Sequence, residues 1–301
     1  MKKLVTLSLL LVFALTMVAC NGEPSPATKS DSSMQSKPAA SATAEGSRQS
    51  SDESTADPAL QEIKKKGKLV LATSADYPPY EWHLMQNGKD EIVGFDIEIA
   101  RSLAKSIGVE LEIKDLDFDA IVPSITSGQA DIGIAGLSVT KERLESVNMT
   151  QPYFQNKQII LVNKSAAGQY KKLEDFKGKT VGAQTGSIQE TTVHEKFPPE
   201  VNVKSLAKLN NLVMELLNGT ADGLVIAKSS GEQYVKLFPD LVALDIALPD
   251  EPGVCIALKK GNDALTAYFN RELQKLIDTG KVKEWISQYE KISADAAAAT
   301  K

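Results

Sequence analysis

Apolar residues along the chain fall into short β-rich runs separated by longer runs at helical spacing. Lys68–Thr73 (KLVLAT) predicts a strand, and residues 94–108 predict a helix, with Phe95, Ile99, Leu103 and Ile107 one turn apart and Gly108 to close it. A strand over 109–113, a helix over 118–128 and a strand over 132–135 follow. The order strand, helix, strand, helix, strand predicts a parallel sheet covered by helices. Residues 173–244 predict a second such unit, with strands over 179–183, 201–205, 224–227 and 241–244 and helices over 188–196, 209–218 and 230–237. Left over are a strand over 253–258 and helices over 264–279 and 282–292. Together with 157–162 they are expected to supply two crossings between lobes, which makes a hinge able to close on a ligand.

The two units share more than a pattern. Residues 121–138 (IVPSITSGQADIGIAGLS) and 212–229 (LVMELLNGTADGLVIAKS) match at a fixed offset of about 91 residues, pairing Gly128 with Gly219, Ala130 with Ala221, Asp131 with Asp222 and Ser138 with Ser229. Each copy reads as a helix that stops at a glycine, turns on an aspartate and enters a short strand. Two copies are too few for a solenoid, so the repeat predicts two similar α/β lobes with a cleft between them. Lobe one is expected to span 59–158 and 254–293, and lobe two 159–253.

The ends set the compartment. Lys2 and Lys3 precede an apolar run ending at Cys20, the pattern of a secretory signal peptide over 1–20. Met17-Val18-Ala19-Cys20 resembles a bacterial lipobox, which makes Cys20 the expected site of lipidation, palmitate included. Residues 21–58 are Ser-, Ala- and Pro-rich, lack aromatics and cannot bury enough apolar surface to offset backbone ordering at roughly 1–2 kcal/mol per residue. A disordered tether is expected there, and a frayed tail over 294–301. Cys255 is the only other cysteine, which excludes an intramolecular disulfide once Cys20 carries lipid. With a net charge of −5 and no basic cluster beyond Lys64-Lys65-Lys66, a nucleic-acid partner is not expected.

Candidate chemistry concentrates at two helix starts. Thr140 is a natural N-cap, which places Arg143 in a first helical turn, where the helix dipole opposes a cation. Either the guanidinium points into the cleft to grip a carboxylate, or it is a solvated arginine paired with Glu145 or Asp119. In lobe two, Gly186-Ser187-Ile188-Gln189-Glu190 begins a helix whose free N–H groups suit an anion, or whose Ser187 and Glu190 simply form a capping box. Tyr77, Tyr80 and Trp82 cluster in a proline-containing loop; Tyr77 is expected against a ligand, Tyr80 and Trp82 against the core. Enzyme signals are weak: Ser102 and Lys105 match S-x-x-K but lie on a polar helix face, and His83 and His194 have no metal spacing. No cofactor, metal or catalytic residue is expected.

Over 67–289 the chain resembles solute-binding protein family 3, the substrate-binding lipoproteins of polar amino acid ABC importers. KLVLATSADYPPYEW, IVGFDIEIARSLA, DFDAIVPSITSGQADIGIAGLSVTKER, NMTQPYF, FKGKTVGAQTGSIQET and NGTADGLVIA carry the resemblance, in that order. It implies a type II periplasmic binding protein fold: two α/β lobes on two hinge strands, with the ligand cleft between them. It also implies that Arg143, with the N–H groups of Ser138 and Ile188, holds a ligand carboxylate, and that the Gly136 carbonyl and Ser138 hydroxyl face the ammonium. Tyr77 and Phe118 would sandwich the ligand side chain, with Gln184, Gln189, Ser187 and Ser74 around it. The chain departs from the family at Ser74 and Ala227, where acids are usual; Asp76 could substitute for the first. The resemblance implies a lipid-anchored, extracytoplasmic, monomeric receptor that delivers a small polar amino acid to a membrane permease. The alternatives are an enzyme like cyclohexadienyl dehydratase on the same scaffold, or an anchored sensor.

Overall fold

The computed structural model describes residues 57–86 and 88–299. The signal peptide, the Cys20 lipobox, most of the tether and Asn87 therefore lie outside the described residues. The tether is expected to run to residue 58, but Asp57 already caps a helix: its Oδ1 accepts the Ala59 N–H at 3.0 Å, and Pro58 occupies the first turn, where a missing N–H costs nothing.

In the first lobe, in chain order, are α1 (Pro58–Lys66), β1 (Lys68–Thr73), β2 (Asp76–Tyr77), β3 (Glu81–Gln86), β4 (Lys89–Val93), α2 (Phe95–Ile107), β5 (Glu110–Asp115), α3 (Ile121–Thr126), β6 (Ile132–Gly133), α4 (Lys141–Ser146) and β7 (Val147–Met149). The chain then crosses to β8 (Gln158–Asn163), β9 (Thr180–Gln184), α5 (Ile188–Lys196), β10 (Asn202–Leu206), α6 (Leu209–Leu217), β11 (Gly223–Ala227), α7 (Lys228–Leu237) and β12 (Leu241–Leu244). It returns as β13 (Ala257–Lys259), α8 (Asp263–Asp278) and α9 (Lys281–Ala299).

The two main sheets have the same plan. Their orders are β5-β1-β6-β13-β7 and β10-β9-β11-β8-β12. In each, three parallel strands are extended by an antiparallel strand that has just crossed the hinge: β13 beside β6, and β8 beside β11. The sheets are thus mixed, where strand–helix alternation predicted parallel ones, because a chain that changes lobes enters the new sheet from the opposite end. The crossings lie side by side, bridged at Phe154–Val254 and Lys157–Asp250. A third, antiparallel sheet, β2-β3-β4, holds the aromatic segment expected as a loop.

The sequence repeat is a structural repeat. Gly128 and Gly219 end their helices at φ +77° and +72°, a conformation that disfavours any side chain. Asp131 Oδ2 accepts the Val70 N–H at 2.7 Å while its own N–H donates to Val70 O, and Asp222 treats Thr180 the same way, with Oδ2 at 2.8 Å. Asp131 thereby fastens β6 to β1, and Asp222 fastens β11 to β9. Asp222→Ala strands the Thr180 amide and the Tyr170 hydroxyl that also bonds it, so it is expected to destabilise by about 1–3 kcal/mol. Urea unfolding with an unchanged m value checks this.

Leu71, Phe95, Leu103 and Phe269 anchor the first core and Phe176, Val181 and Ile160 part of the second, all fully buried. The tail expected to fray from 294 is instead part of α9, which continues to Ala299 because it packs on α7 of the second lobe as well as on α2 and α8. Ala297 is buried there.

Candidate functional site

Thr140 caps α4, its Oγ1 accepting the Arg143 N–H at 3.2 Å, so Arg143 stands in the first turn as its position in the sequence suggests. The side chain turns inward. Nη1 donates to the Ser138 carbonyl at 2.6 Å and Nη2 donates to the Gly186 carbonyl of the opposite lobe at 3.1 Å, with Cζ 5.4 Å from the centre of the Phe118 ring. Neither Glu145 nor Asp119 pairs with it. Burial pulls its pKa down from 12.5 to about 10, with Glu142 opposing, so it is still charged at neutral pH. Arg143 is thus a cation held by neutral carbonyls from both lobes.

Opposite it lies the start of α5. Ser187 Oγ accepts the Glu190 N–H at 3.1 Å, while Glu190 Oε2 reaches the Gly186 N–H at 2.7 Å. The carboxylate returns one residue before the cap, to Gly186, rather than to Ser187 itself as a capping box requires. Gly186 has φ +74°, which lets the chain turn sharply and present its carbonyl to Arg143.

Behind this pair is a cavity of about 10 Å³. Tyr77, Phe118, Gly136, Gln184, Gln189 and Ala227 line it, six of the residues expected at the site, and so do Tyr80, Ala135 and Glu251, which were not. Such a space is about one water in size, so it admits no organic ligand unless the lobes part. The Ala227 N–H of lobe two donates to the Tyr77 hydroxyl at 3.2 Å, and the Tyr77 and Tyr80 rings lie 5.2 Å apart. Gly136 lies beside the Tyr77 ring, where a Cβ would make ordinary contact at 3.4 Å, and its φ of +56° is what disfavours a side chain there. Its N–H is held by Asp96 Oδ2 at 2.9 Å.

The remaining expected residues sit around this centre rather than on it. The Ser138 carbonyl is taken by Arg143, Ser187 is the cap and Ile188 begins α5. Ser74 is buried with its Oγ unpartnered, off the cavity wall. Asp76 turns to the other lobe, where Oδ2 accepts the Leu209 N–H at the start of α6 at 2.6 Å; burial raises its pKa to about 6. Lys208 reaches back to Asp115 at 3.3 Å. The Tyr80 hydroxyl accepts from Asn156 Nδ2 at 2.8 Å, and the same nitrogen donates to Ser229 Oγ at 2.7 Å, joining lobe one to lobe two through the hinge.

Glu251, in the second crossing, is the acid that residue patterns did not single out. It is 7% exposed, and Oε1 accepts from Gln189 Nε2 at 2.7 Å. Burial pushes its pKa up to about 7. A Glu-Pro pair in an irregular connector carries no periodicity, so only the fold brings it to the cleft. Among the described residues no cluster of three or more His, Cys, Asp or Glu suits a metal ion.

Residues 69–291 match the model for bacterial extracellular solute-binding proteins, family 3. The arginine-binding extracellular protein ArtP of Bacillus subtilis is 36% identical over 230 residues, which cover 74% of this chain and 87% of that one. The substrate-binding protein AbpA of an amino acid ABC transporter from Streptococcus pneumoniae, bound to L-arginine, superposes with a TM-score of 0.75 at 35% identity, covering 78% of this chain and 99% of its own. The ancestral amino acid-binding protein AncCDT-1, a precursor of cyclohexadienyl dehydratase, gives 0.69 at 30% identity, with coverage of 76% and 98%.

Proposed function

The chain belongs to the bacterial extracellular solute-binding proteins, family 3, and on that premise we propose that it is the receptor of an ABC importer that closes its two lobes on a small amino acid. The observation that carries this reading is Arg143: a charged, half-buried guanidinium that, among the described residues, has no carboxylate partner and hydrogen-bonds to carbonyls of the two lobes. A ligand carboxylate arriving there replaces weak acceptors with an anion, and charge-assisted bonds are worth about 1.5–3 kcal/mol each. Because Ile188, whose N–H would join Arg143 on the same carboxylate, belongs to the other lobe, the gain is largest when the cleft is closed. Binding and closure are then one event.

In this reading Tyr77 and Phe118 flank the ligand side chain, the Gly136 carbonyl accepts from its ammonium, and the N–H groups of Ser138 and Ile188 join Arg143 on its carboxylate. L-Arginine is the first ligand to test, since ArtP is named for it and AbpA was solved with it. The protein acts by binding without turnover. It sits outside the cell membrane as a monomer, anchored by lipid on Cys20, and hands its cargo to a permease.

A thermal-shift panel of the protein amino acids tests the reading. At 100 times its dissociation constant the right ligand adds about 2.7 kcal/mol of stability. For roughly 230 folded residues that is a rise of about 5–11 °C. No shift with any amino acid would sink it.

A further inference from the structure

Glu251 is left over once the carboxylate is assigned to Arg143. It lies in the second crossing, beside Asp250, which bridges to Lys157 of the first crossing. Its side chain is buried at the cavity that Tyr77, Tyr80, Gly136 and Ala227 also line. One oxygen is satisfied by Gln189; the other accepts no hydrogen bond from the described residues. A buried carboxylate with an open oxygen facing a ligand cavity calls for a cation. Resting on the amino-acid reading above, we propose that Glu251 is the counter-ion of the ligand's α-ammonium group.

Spacing favours the α-ammonium over a charge at the far end of a side chain. Arg143 is fixed to Gly186 and Glu251 to Gln189. These two anchors are three residues apart in the chain, Gly186 just before the Ser187 cap of α5 and Gln189 in its first turn. The cation for the carboxylate and the anion for the ammonium are thereby tied to the same short stretch of lobe two, as two groups on a single carbon require. One cation and one anion also match the zwitterion in charge. The residue at the end of the second repeat copy, Ala227, offers its N–H to Tyr77 and no charge. The hinge acid therefore supplies the negative end of the site. Because Glu251 lies on the segment joining the lobes, pairing it with ligand also ties occupancy to the hinge.

Calorimetric titration of the mature protein and of Glu251→Gln with L-arginine, L-citrulline and 2-hydroxy-5-guanidinopentanoate, the analogue with hydroxyl in place of ammonium, tests this. Glutamine keeps the size of the side chain and can still bond Gln189, so the fold is expected to persist, with circular dichroism and melting as controls. Glu251→Gln should weaken L-arginine and L-citrulline alike, by about tenfold to several hundredfold. It should leave the already weak hydroxy analogue nearly unchanged. The groups facing Glu251 are the hydroxyls of Tyr77 and Tyr80 and the amide of Gln189. Neither tyrosine titrates near neutrality, since burial holds both well above 10. Glu251 must be ionised to pair, so parent binding should tighten as pH rises through about 7 and the variant should lose that dependence. Unchanged arginine affinity in Glu251→Gln overturns the proposal, as does a loss for arginine that spares citrulline, which would move the contact to the guanidinium. If the parent ignores L-arginine but is stabilised by another amino acid, the same comparison is made with that amino acid and its 2-hydroxy counterpart. A parent that binds no amino acid overturns the underlying reading instead.

Discussion

Arg143→Ala is expected to weaken amino-acid binding by about 2–4 kcal/mol, roughly thirty- to a thousandfold, while leaving the folded protein nearly as stable as before. The asymmetry follows from what the guanidinium touches. It has no carboxylate partner to strand, and the two carbonyls it serves, Ser138 O and Gly186 O, can be rehydrated at the mouth of an opened cleft. The ligand carboxylate has no such replacement once the lobes shut. Arg143→Lys should fall between the two, because an ammonium keeps the charge but cannot present the planar fork that a carboxylate matches. Calorimetry gives the affinities and chemical denaturation the stabilities. An alanine variant that binds as tightly as the parent would show that the carboxylate lies elsewhere.

The converse case is Phe176→Ala, expected to cost about 3–5 kcal/mol of stability. Phe176 is fully buried in lobe two, stacked on Tyr170 with ring centres 4.3 Å apart and set edge-on to Phe197 at 5.5 Å. It also presses against β11 at Gly223, where an added Cβ would come within 2.9 Å of its ring. That glycine and that ring fit each other, so little can relax into the space an alanine leaves. None of these groups lines the cavity, so the variant, where folded, should bind with parental affinity. Urea denaturation should show a lower midpoint, and a second transition is expected if lobe two unfolds before lobe one. A loss below 1 kcal/mol would mean that the site collapses around the deletion.

These two variants separate what is local in this protein from what is assembled. Asp131 and Asp222 were visible in the sequence because each sits at the turn of a helix–turn–strand unit within one stretch of chain; their bonds to Val70 and Thr180, 61 and 42 positions away, were not. The Thr140 cap with Arg143 and the Ser187 start of α5 were visible for the same reason, since caps depend on residues three apart. The partner of Arg143 was not: sequence spacing left Glu145, Asp119 and the cleft all open, and only the meeting of the lobes put its guanidinium on Gly186. Tyr80 read as a core aromatic. It is buried, but its ring edges the cavity and its hydroxyl ties into the hinge through Asn156.

By itself, then, the sequence determined two like α/β lobes, the crossings between them and the two capped helix starts that carry Arg143 and Ser187, because hydrophobic period, glycine turns and caps act over a few residues. Tertiary structure alone decided that each sheet is completed by a strand from the other side of the hinge, that α9 runs on to Ala299 against α7, and that Glu251 faces the cavity. Those outcomes depend on residues far apart in the chain. Glu251 and Gln189 are 62 positions apart, and Tyr77 and Ala227 are 150. No local pattern records such a pairing, which comes into being only when burial brings the two segments together and each polar group must find a partner.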